Sequence, residues 1–106
     1  MSVYVDQLID YGETARKRRL PDTRWCHLTA DTRQELHRFA ARIGLRRTWF
    51  QDPVVSGKPW PAKPGSPHAR MWHYDLTPGK RAAAIRAGAI EITNTEMSAV
   101  MNKEGR

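Results

Sequence analysis

The spacing of apolar residues along the chain predicts two helices set among short strands. The clearest helical face repeats at positions i, i+3, i+4 and i+7, and it consists of Leu36, Phe39, Ala40 and Ile43. Thr32 and Glu35 precede this face with the spacing of a capping box, and Gly44 supplies the left-handed residue that ends many helices. The sequence therefore predicts a helix over residues 33–43.

A second helix is predicted over residues 78–87, because the flanking residues match the preferences of helix ends. Thr77 can cap the first turn, Pro78 fits the first helical position, and Gly88 can end the helix. Residues 10–23 are polar and predict a loop that can hold a helical turn. Strands are predicted in short segments at about residues 2–6, 24–28, 45–51, 70–75 and 89–93.

This order of elements predicts a small single α/β domain over residues 1–93. We expect a mixed or mostly parallel sheet of four to five strands with two main helices packed on it. Residues 94–106 are predicted to be a helical or frayed C-terminal tail. Prolines and glycines make residues 52–69 a predicted loop without regular structure. Trp60 in this loop is expected to pin it to the domain, with ligand contact as the alternative.

The composition is basic, with a formal net charge of +7, a pI of about 10.2 and a run of four cations at residues 16–19. Such a field attracts polyanions, so a nucleotide or nucleic acid is an expected partner. The single cysteine, Cys26, excludes an internal disulfide and is predicted to be buried. No apolar run approaches the roughly 20 residues that span a bilayer. We therefore expect no membrane partner and a cytoplasmic location.

The start of the second predicted helix combines Thr77 with two cations, Lys80 and Arg81. Cations in a first turn oppose the helix dipole by about 0.3–1 kcal/mol each, so folding alone does not favour them there. With free N–H groups, these residues predict a site for a phosphorylated ligand, at which both cations are exposed. His37 is a further ligand-binding candidate, or a boundary residue that hydrogen-bonds inward.

The catalytic candidates are polar residues at predicted strand ends and helix starts, namely His27, His73, Asp75 and Asp31. If the strands run parallel, these residues and Asp6 lie along one edge of the sheet, where open α/β sheets bind ligands. Imidazole and carboxylate groups there could carry out acid–base chemistry on a phosphoester or glycosyl bond. The alternatives are that Asp31 only caps a helix and that both histidines are structural.

The chain contains no recognised metal-binding motif, so neither a metal nor another cofactor is predicted. The alternative is a divalent ion such as magnesium, held by Asp6 and Asp75. His73 shares a strand face with Asp75 and could join them. Cys26 and His27 are adjacent, so their side chains point to opposite faces of a strand and do not share an ion.

Several short segments occur in an order and spacing that resemble one family: Tyr4-Val5-Asp6, His27-Leu28, Ala30-Asp31-Thr32, Glu35-Leu36-His37, Ile43-Gly44, Trp49-Phe50-Gln51, His73-Tyr74-Asp75-Leu76, Lys80-Arg81 and Gly88-Ala89. Most of residues 2–93 resembles the domain of unknown function 4031 family of short bacterial and phage proteins. The family carries no assigned activity. The resemblance implies a polar site rather than a core for Asp6, His27, Asp31, His37, His73, Asp75 and Arg81. Many relatives have a second aspartate where Gln7 stands here, which argues against a paired-carboxylate metal site.

We predict a protein that binds a phosphorylated ligand, either a nucleotide or a nucleic-acid backbone, at strand ends and a helix N-terminus. The first alternative is a small nuclease or nucleotide hydrolase. The second is a non-catalytic factor that binds a host protein through its basic surface and Pro-rich loop, in the host cytoplasm if a phage encodes it. Convergent histidine and aspartate side chains favour the enzyme, and scattered ones favour a binder.

Overall fold

The computed structural model describes residues 2–20, 22–56, 60–103 and 106. The strands are β1 (Val3–Val5), β2 (Ile9–Asp10), β3 (Arg24–Ala30), β4 (Tyr74–Leu76) and β5 (Ile90–Glu91). The α-helices are α1 (Gly12–Lys17), α2 (Arg33–Arg42), α3 (Pro53–Ser56), α4 (Pro78–Arg86) and α5 (Asn94–Met101). Short 3₁₀ helices lie at Arg47–Trp49 and His68–Arg70.

The long strand β3 is the centre of a mixed five-stranded sheet. Strands β1 and β4 pair antiparallel with its two edges, since Leu28 is the partner of Val5 on one side and of Tyr74 on the other. Strand β2 pairs antiparallel with the start of β3, and β5 lies parallel to β1. The α/β class and the mixed sheet are therefore confirmed, and β1 with β5 is the parallel pair among the described strands.

One face of this sheet carries the hydrophobic core. Strands β3 and β4 contribute the buried side chains of Cys26, Leu28, Ala30, Tyr74 and Leu76. Helices α2 and α4 cover them with Leu36, Phe39, Ala40 and Ala84. Full burial of a large apolar side chain contributes about 1.5–3 kcal/mol. Because side chains alternate along a strand, His27 and Asp75 project from the opposite face.

The two predicted main helices are confirmed, each ending one residue before its predicted end. The hydroxyl groups of Thr32 and Thr77 accept hydrogen bonds from the backbone N–H of the third residue of α2 and of α4, at 3.2 and 3.3 Å. Gly44 and Gly88 follow the helices with φ of 80° and 103°, which a β-carbon would strain. Local sequence signals therefore fix both helices.

The predicted strand at residues 45–51 is wrong. The 3₁₀ helix Arg47–Trp49 occupies it, and a single bridge joins Gln51 to His73. The side chain of Leu45 is buried while Trp49 is 46% exposed, so the apolar residues do not form one strand face. Strand β4 accordingly begins at Tyr74, later than predicted.

The Pro-rich segment at residues 52–69 is not wholly irregular, contrary to the prediction. Helix α3 begins at Pro53, a residue that suits a first turn because its fixed φ is helical. A 3₁₀ helix forms at His68–Arg70. Trp60 is 83% exposed, so it does not pin the segment to the domain. The predicted loop residues 57–59 lie outside the described residues.

Two further helices complete the chain. Helix α1 lies within the segment before β3 that was predicted as a loop with a helical turn, and it includes the first two cations of the basic run. Helix α5 starts with a capping box between Thr93 and Glu96, and its Met97 and Met101 are buried. None of the described helices is long and apolar enough to cross a bilayer.

Candidate functional site

The antiparallel pairing of β3 with β4 brings a histidine and an aspartate together. His27 and Asp75 are cross-strand partners in this register. They project from the face of the sheet that lies opposite α2 and α4. His73, two residues before Asp75, is on the same face and adds a second imidazole. The convergence therefore depends on strand register, and the predicted parallel strand ends are not needed for it.

Asp6 fixes the orientation of His27. Its carboxylate is buried and accepts two hydrogen bonds from this residue, from the backbone N–H at 2.6 Å and from ring Nδ1 at 2.8 Å. A carboxylate can only accept, so Nδ1 carries the proton and Nε2 of the neutral ring has a free lone pair. The hydrogen bond to Asp6 raises the pKa of His27, because it stabilises the charged ring.

His73 is held in a similar way by the backbone. Its Nδ1 donates to the carbonyl oxygen of Met71 at 2.8 Å, and its Nε2 lies 3.1 Å from Oδ1 of Asp75. The rings of His27 and His73 have centroids 5.0 Å apart and are nearly perpendicular. One ligand atom from each of His27, His73 and Asp75 lies within 4.8 Å of the others. We call these three residues the His–His–Asp cluster.

The cluster lies on the wall of an open cleft of about 780 Å³. The other walls come from β3, from residues in and beside α1, from the start of α4 and from the segment between α2 and α3. They include Tyr11, Arg18, Trp25, Trp49, Gln51, Thr77 and Lys80. A second cavity of about 200 Å³ is lined by His27 and His73 together with Asp6, Met71 and residues of α5. The two imidazoles are thus reachable from a cleft large enough for a small-molecule ligand.

Tyr11 lies close enough to the cluster to sense its charge. Burial raises the pKa of its phenol, and the negative charges of Asp75 and Asp6 raise that pKa further. The side chain is still 40% exposed, so the hydroxyl group remains available to a ligand in the cleft. Tyr11 therefore stays protonated near neutral pH and can donate a hydrogen bond there.

Lys80 and Arg81 are not the exposed pair that the sequence predicts, since both side chains are half-buried. Lys80 Nζ donates to the carbonyl of Ile43 at the end of α2, and Arg81 Nε donates to the carbonyl of Asp6, each at 2.8 Å. Both cations thus donate to backbone carbonyl groups at the ends of secondary-structure elements, where such groups lack a partner within the element. Lys80 and Thr77 line the cleft, whereas Arg81 is not among its described lining residues.

The other predicted site residues lie apart from the cluster. Asp31 accepts hydrogen bonds from the backbone N–H of Ser2 at 3.0 Å and the hydroxyl group of Tyr4 at 3.1 Å. His37 Nδ1 is 2.9 Å from the hydroxyl oxygen of Tyr74. Among the described residues, neither Asp31 nor His37 lines the cleft. Both therefore hold elements of the fold together.

Two electrostatic details separate the remaining candidates from the cluster. Burial lowers the pKa of His37, and the positive charges of Arg47 and Arg33 lower it further. Cys26 is buried as predicted, and burial is the main cause that raises its pKa to about 12. A thiol of that pKa stays protonated at neutral pH, so it is a poor nucleophile and a poor metal ligand.

Sequence reasoning missed several cleft residues. Trp25 lies two residues before His27 on β3, so their shared strand face was a usable signal. Arg18 belongs to the basic run, but nothing local indicated that it would line the same cleft as the histidines. The Met71 carbonyl is a backbone group, and no side-chain pattern reports it.

The fold and the site define a small mixed α/β protein with a histidine–aspartate cluster in a surface cleft. The chain belongs to the family described as protein of unknown function (DUF4031), whose model matches residues 3–104. The predicted family resemblance is thereby confirmed. No curated protein and no solved structure matches the chain significantly.

Proposed function

We propose that this protein is a small phosphoester hydrolase that binds a nucleotide or a nucleic-acid strand in the cleft. The observation that carries the proposal is the convergence of His27, His73 and Asp75 on the wall of a ligand-sized cleft. The sequence alone left an enzyme and a binding protein open, with convergent side chains as the feature that favours the enzyme. Positioned imidazoles and carboxylates typically accelerate proton transfer by 10²–10⁴-fold.

In this proposal each side chain of the cluster has a stated role. Asp6 keeps the proton of His27 on Nδ1, so that Nε2 presents a lone pair where a water or a hydroxyl group can be activated. His73 is held through Nδ1 by the Met71 carbonyl, and its Nε2 faces Asp75. His27, His73 and Asp75 are the proposed catalytic residues, and Asp6 is a positioning residue.

The remaining walls of the cleft support a phosphorylated aromatic ligand. Arg18 and Lys80 bring positive charge to a cavity that the aromatic side chains of Tyr11, Trp25 and Trp49 also line. Stacking of a base on an aromatic side chain contributes about 1–3 kcal/mol, and it tolerates any base. The net charge of +7 adds a long-range attraction for polyanions, which salt screens.

Protein binding is a second candidate function, and it rests on a different surface. In the segment at residues 52–69, Val55 is 79% exposed and Trp60 is 83% exposed. Exposed aromatic residues are frequent anchors of protein interfaces. This surface fits the host-protein alternative, and it does not need the cleft.

Turnover of nucleotides, single-stranded nucleic acid and a chromogenic phosphodiester, each with and without divalent metals, tests the proposal. We expect His73→Ala and Asp75→Asn to reduce turnover by at least about 10²-fold. Their stability should fall by no more than roughly 1–2 kcal/mol, because both side chains are partly exposed. His68→Gln, which replaces an exposed histidine outside the cleft, should retain parent turnover. Ligand binding in the cleft without turnover by the parent protein would refute the hydrolase.

A further inference from the structure

We propose that His27, His73 and Asp75 bind a divalent first-row transition metal ion, with Asp6 and the Met71 carbonyl orienting the two imidazoles. The inference rests on the proposed function and deepens it: the Nε2 lone pair of His27 would hold the ion, and the ion would supply the activation of water in the cleft. It differs from the magnesium site that the sequence offered as an alternative, in which Asp6 and Asp75 hold the ion. Two contacts between described residues and the spacing of the whole cluster support it.

The first contact is that of His73 with Asp75. Because Nδ1 of His73 donates to the Met71 carbonyl, Nε2 of the neutral ring is an acceptor. It faces a carboxylate oxygen, also an acceptor, at 3.1 Å. Two acceptors at this distance require a cation between them, either a proton or a metal ion. Metal bonds of about 2.0–2.2 Å place neighbouring ligand atoms about 3.0–3.5 Å apart, so this spacing suits one ion.

The second contact is that of His27 with Asp6. Metal-ligating histidines almost always donate their second ring N–H to a carboxylate or a backbone carbonyl. His27 donates to Asp6 and His73 donates to the Met71 carbonyl, so both imidazoles have this supporting bond. A proton shared by His73 and Asp75 accounts for that pair alone and leaves out His27, which offers a ring nitrogen within 4.8 Å of both. An ion bound by all three residues accounts for both orientations.

The third observation is that the ligand atoms of all three residues lie close together. The three ligand atoms lie within 4.8 Å of one another, so reaching metal-bound spacing requires side-chain movements of at most about 1.3–1.8 Å. His27 and His73 side chains are 25% and 20% exposed, and Asp75 is 41% exposed. The site is therefore open to an ion from the cleft but is not a surface patch.

The ligand types select the ion. Imidazole nitrogens suit zinc, iron, cobalt and nickel, whereas magnesium prefers oxygen ligands and retained water. Asp6 is not one of the three ligands in this arrangement, and its two carboxylate oxygens each accept a hydrogen bond from His27. Three protein ligands leave coordination positions for water or substrate, as in catalytic rather than structural sites.

Titration of the metal-stripped protein with Co²⁺ and Zn²⁺ tests the inference without any activity measurement. Visible Co²⁺ absorption gives stoichiometry and geometry, calorimetry gives the Zn²⁺ affinity, and imidazole ¹⁵N resonances identify the ligands. We expect one ion per chain that shifts the Nε2 resonances of His27 and His73 but not those of His37 and His68. His27→Ala, His73→Ala and Asp75→Asn should each weaken binding by more than about 10-fold, and His68→Gln should not.

The resonance measurement uses the parent protein, so a variant that fails to fold does not affect its outcome. Absence of binding, or binding that leaves both cluster imidazoles unshifted, overturns the metal site. Hydrolysis that persists in chelator, together with absence of binding in the titration, overturns the metal site and leaves the hydrolase standing. Stoichiometric binding through His27 and His73 with no hydrolysis of any substrate supports the metal site and refutes the proposed function.

Discussion

Replacement of Asp6 by asparagine should reverse the tautomer of His27. The asparagine oxygen can still accept from the His27 backbone N–H, but the amide group that takes the place of Oδ2 is a donor. It can hydrogen-bond Nδ1 only if that nitrogen has lost its proton. The proton then moves to Nε2, so the nitrogen that faces the cluster becomes a donor and no longer offers a lone pair.

The magnitude follows from the two bonds that Asp6 accepts, at 2.6 and 2.8 Å. A hydrogen bond to a charged group contributes about 1.5–3 kcal/mol and a neutral one about 0.5–1.5 kcal/mol, so weakening both should cost about 2–3 kcal/mol. Asp6→Ala should cost more, roughly 3–5 kcal/mol, because it leaves the buried backbone donor of His27 without its acceptor. Either loss is a large part of a typical stability of about 5–15 kcal/mol.

Two measurements check this prediction. Denaturant unfolding of the parent, Asp6→Asn and Asp6→Ala gives the free energies. Imidazole ¹⁵N spectra, recorded above the raised pKa of His27, give the tautomer. Asp31→Asn is the matched control, since Asp31 also accepts a backbone N–H but has no contact with His27. If Asp6→Asn retains the Nδ1–H tautomer at His27, the orientation that we assign to this ring is incorrect.

Two further predictions concern residues outside the cluster. The double variant Lys80→Glu, Arg81→Glu should lower the free energy of unfolding by about 3–6 kcal/mol, because each cation donates to a backbone carbonyl. Denaturant unfolding measures this loss. Arg86→Ala, which changes an exposed cation of the same helix, should change the free energy of unfolding by less than about 1 kcal/mol. Burial and nearby guanidinium groups lower the pKa of His37, so the stability from its neutral form is present above pH 6.5 and is lost as pH falls through the folded pKa. The His37→Gln variant should lose less stability on acidification than the parent; the raised pKa of His27 acts with the opposite sign in both proteins and cancels in the comparison. An equal acid response of parent and variant contradicts this assignment.

The sequence by itself determined the two main helices, because their signals are local. The hydroxyl groups of Thr32 and Thr77, the glycines that follow each helix and the apolar spacing of α2 all act within a few residues of one another. Burial of Cys26 was likewise predictable, since a free cysteine behaves as a small hydrophobic residue and the adjacent His27 points to the other face of the strand. The strand prediction at residues 45–51 was wrong because the apolar residues of this segment pack in different directions, and local propensity does not predict the direction of packing.

The sequence also named His27, His73 and Asp75; the shared strand face of His73 and Asp75 holds, but the reason given for His27 does not. It assumed parallel strand ends, whereas the antiparallel register of β3 with β4 makes His27 and Asp75 partners. Which residues lie opposite one another depends on strand order and register, and these are decided by burial of the whole sheet face rather than by neighbours in the chain.

Tertiary structure alone decided the parts of Asp6 and of the two cations on α4. Asp6 meets His27 across 21 positions of sequence, and Arg81 meets the Asp6 carbonyl across 75. A cationic side chain at a helix start can bind an anion if it is exposed. It stabilises the fold instead if it donates a hydrogen bond to a backbone carbonyl. The sequence specifies the charge, and only the packing of the elements determines which groups lie within its reach.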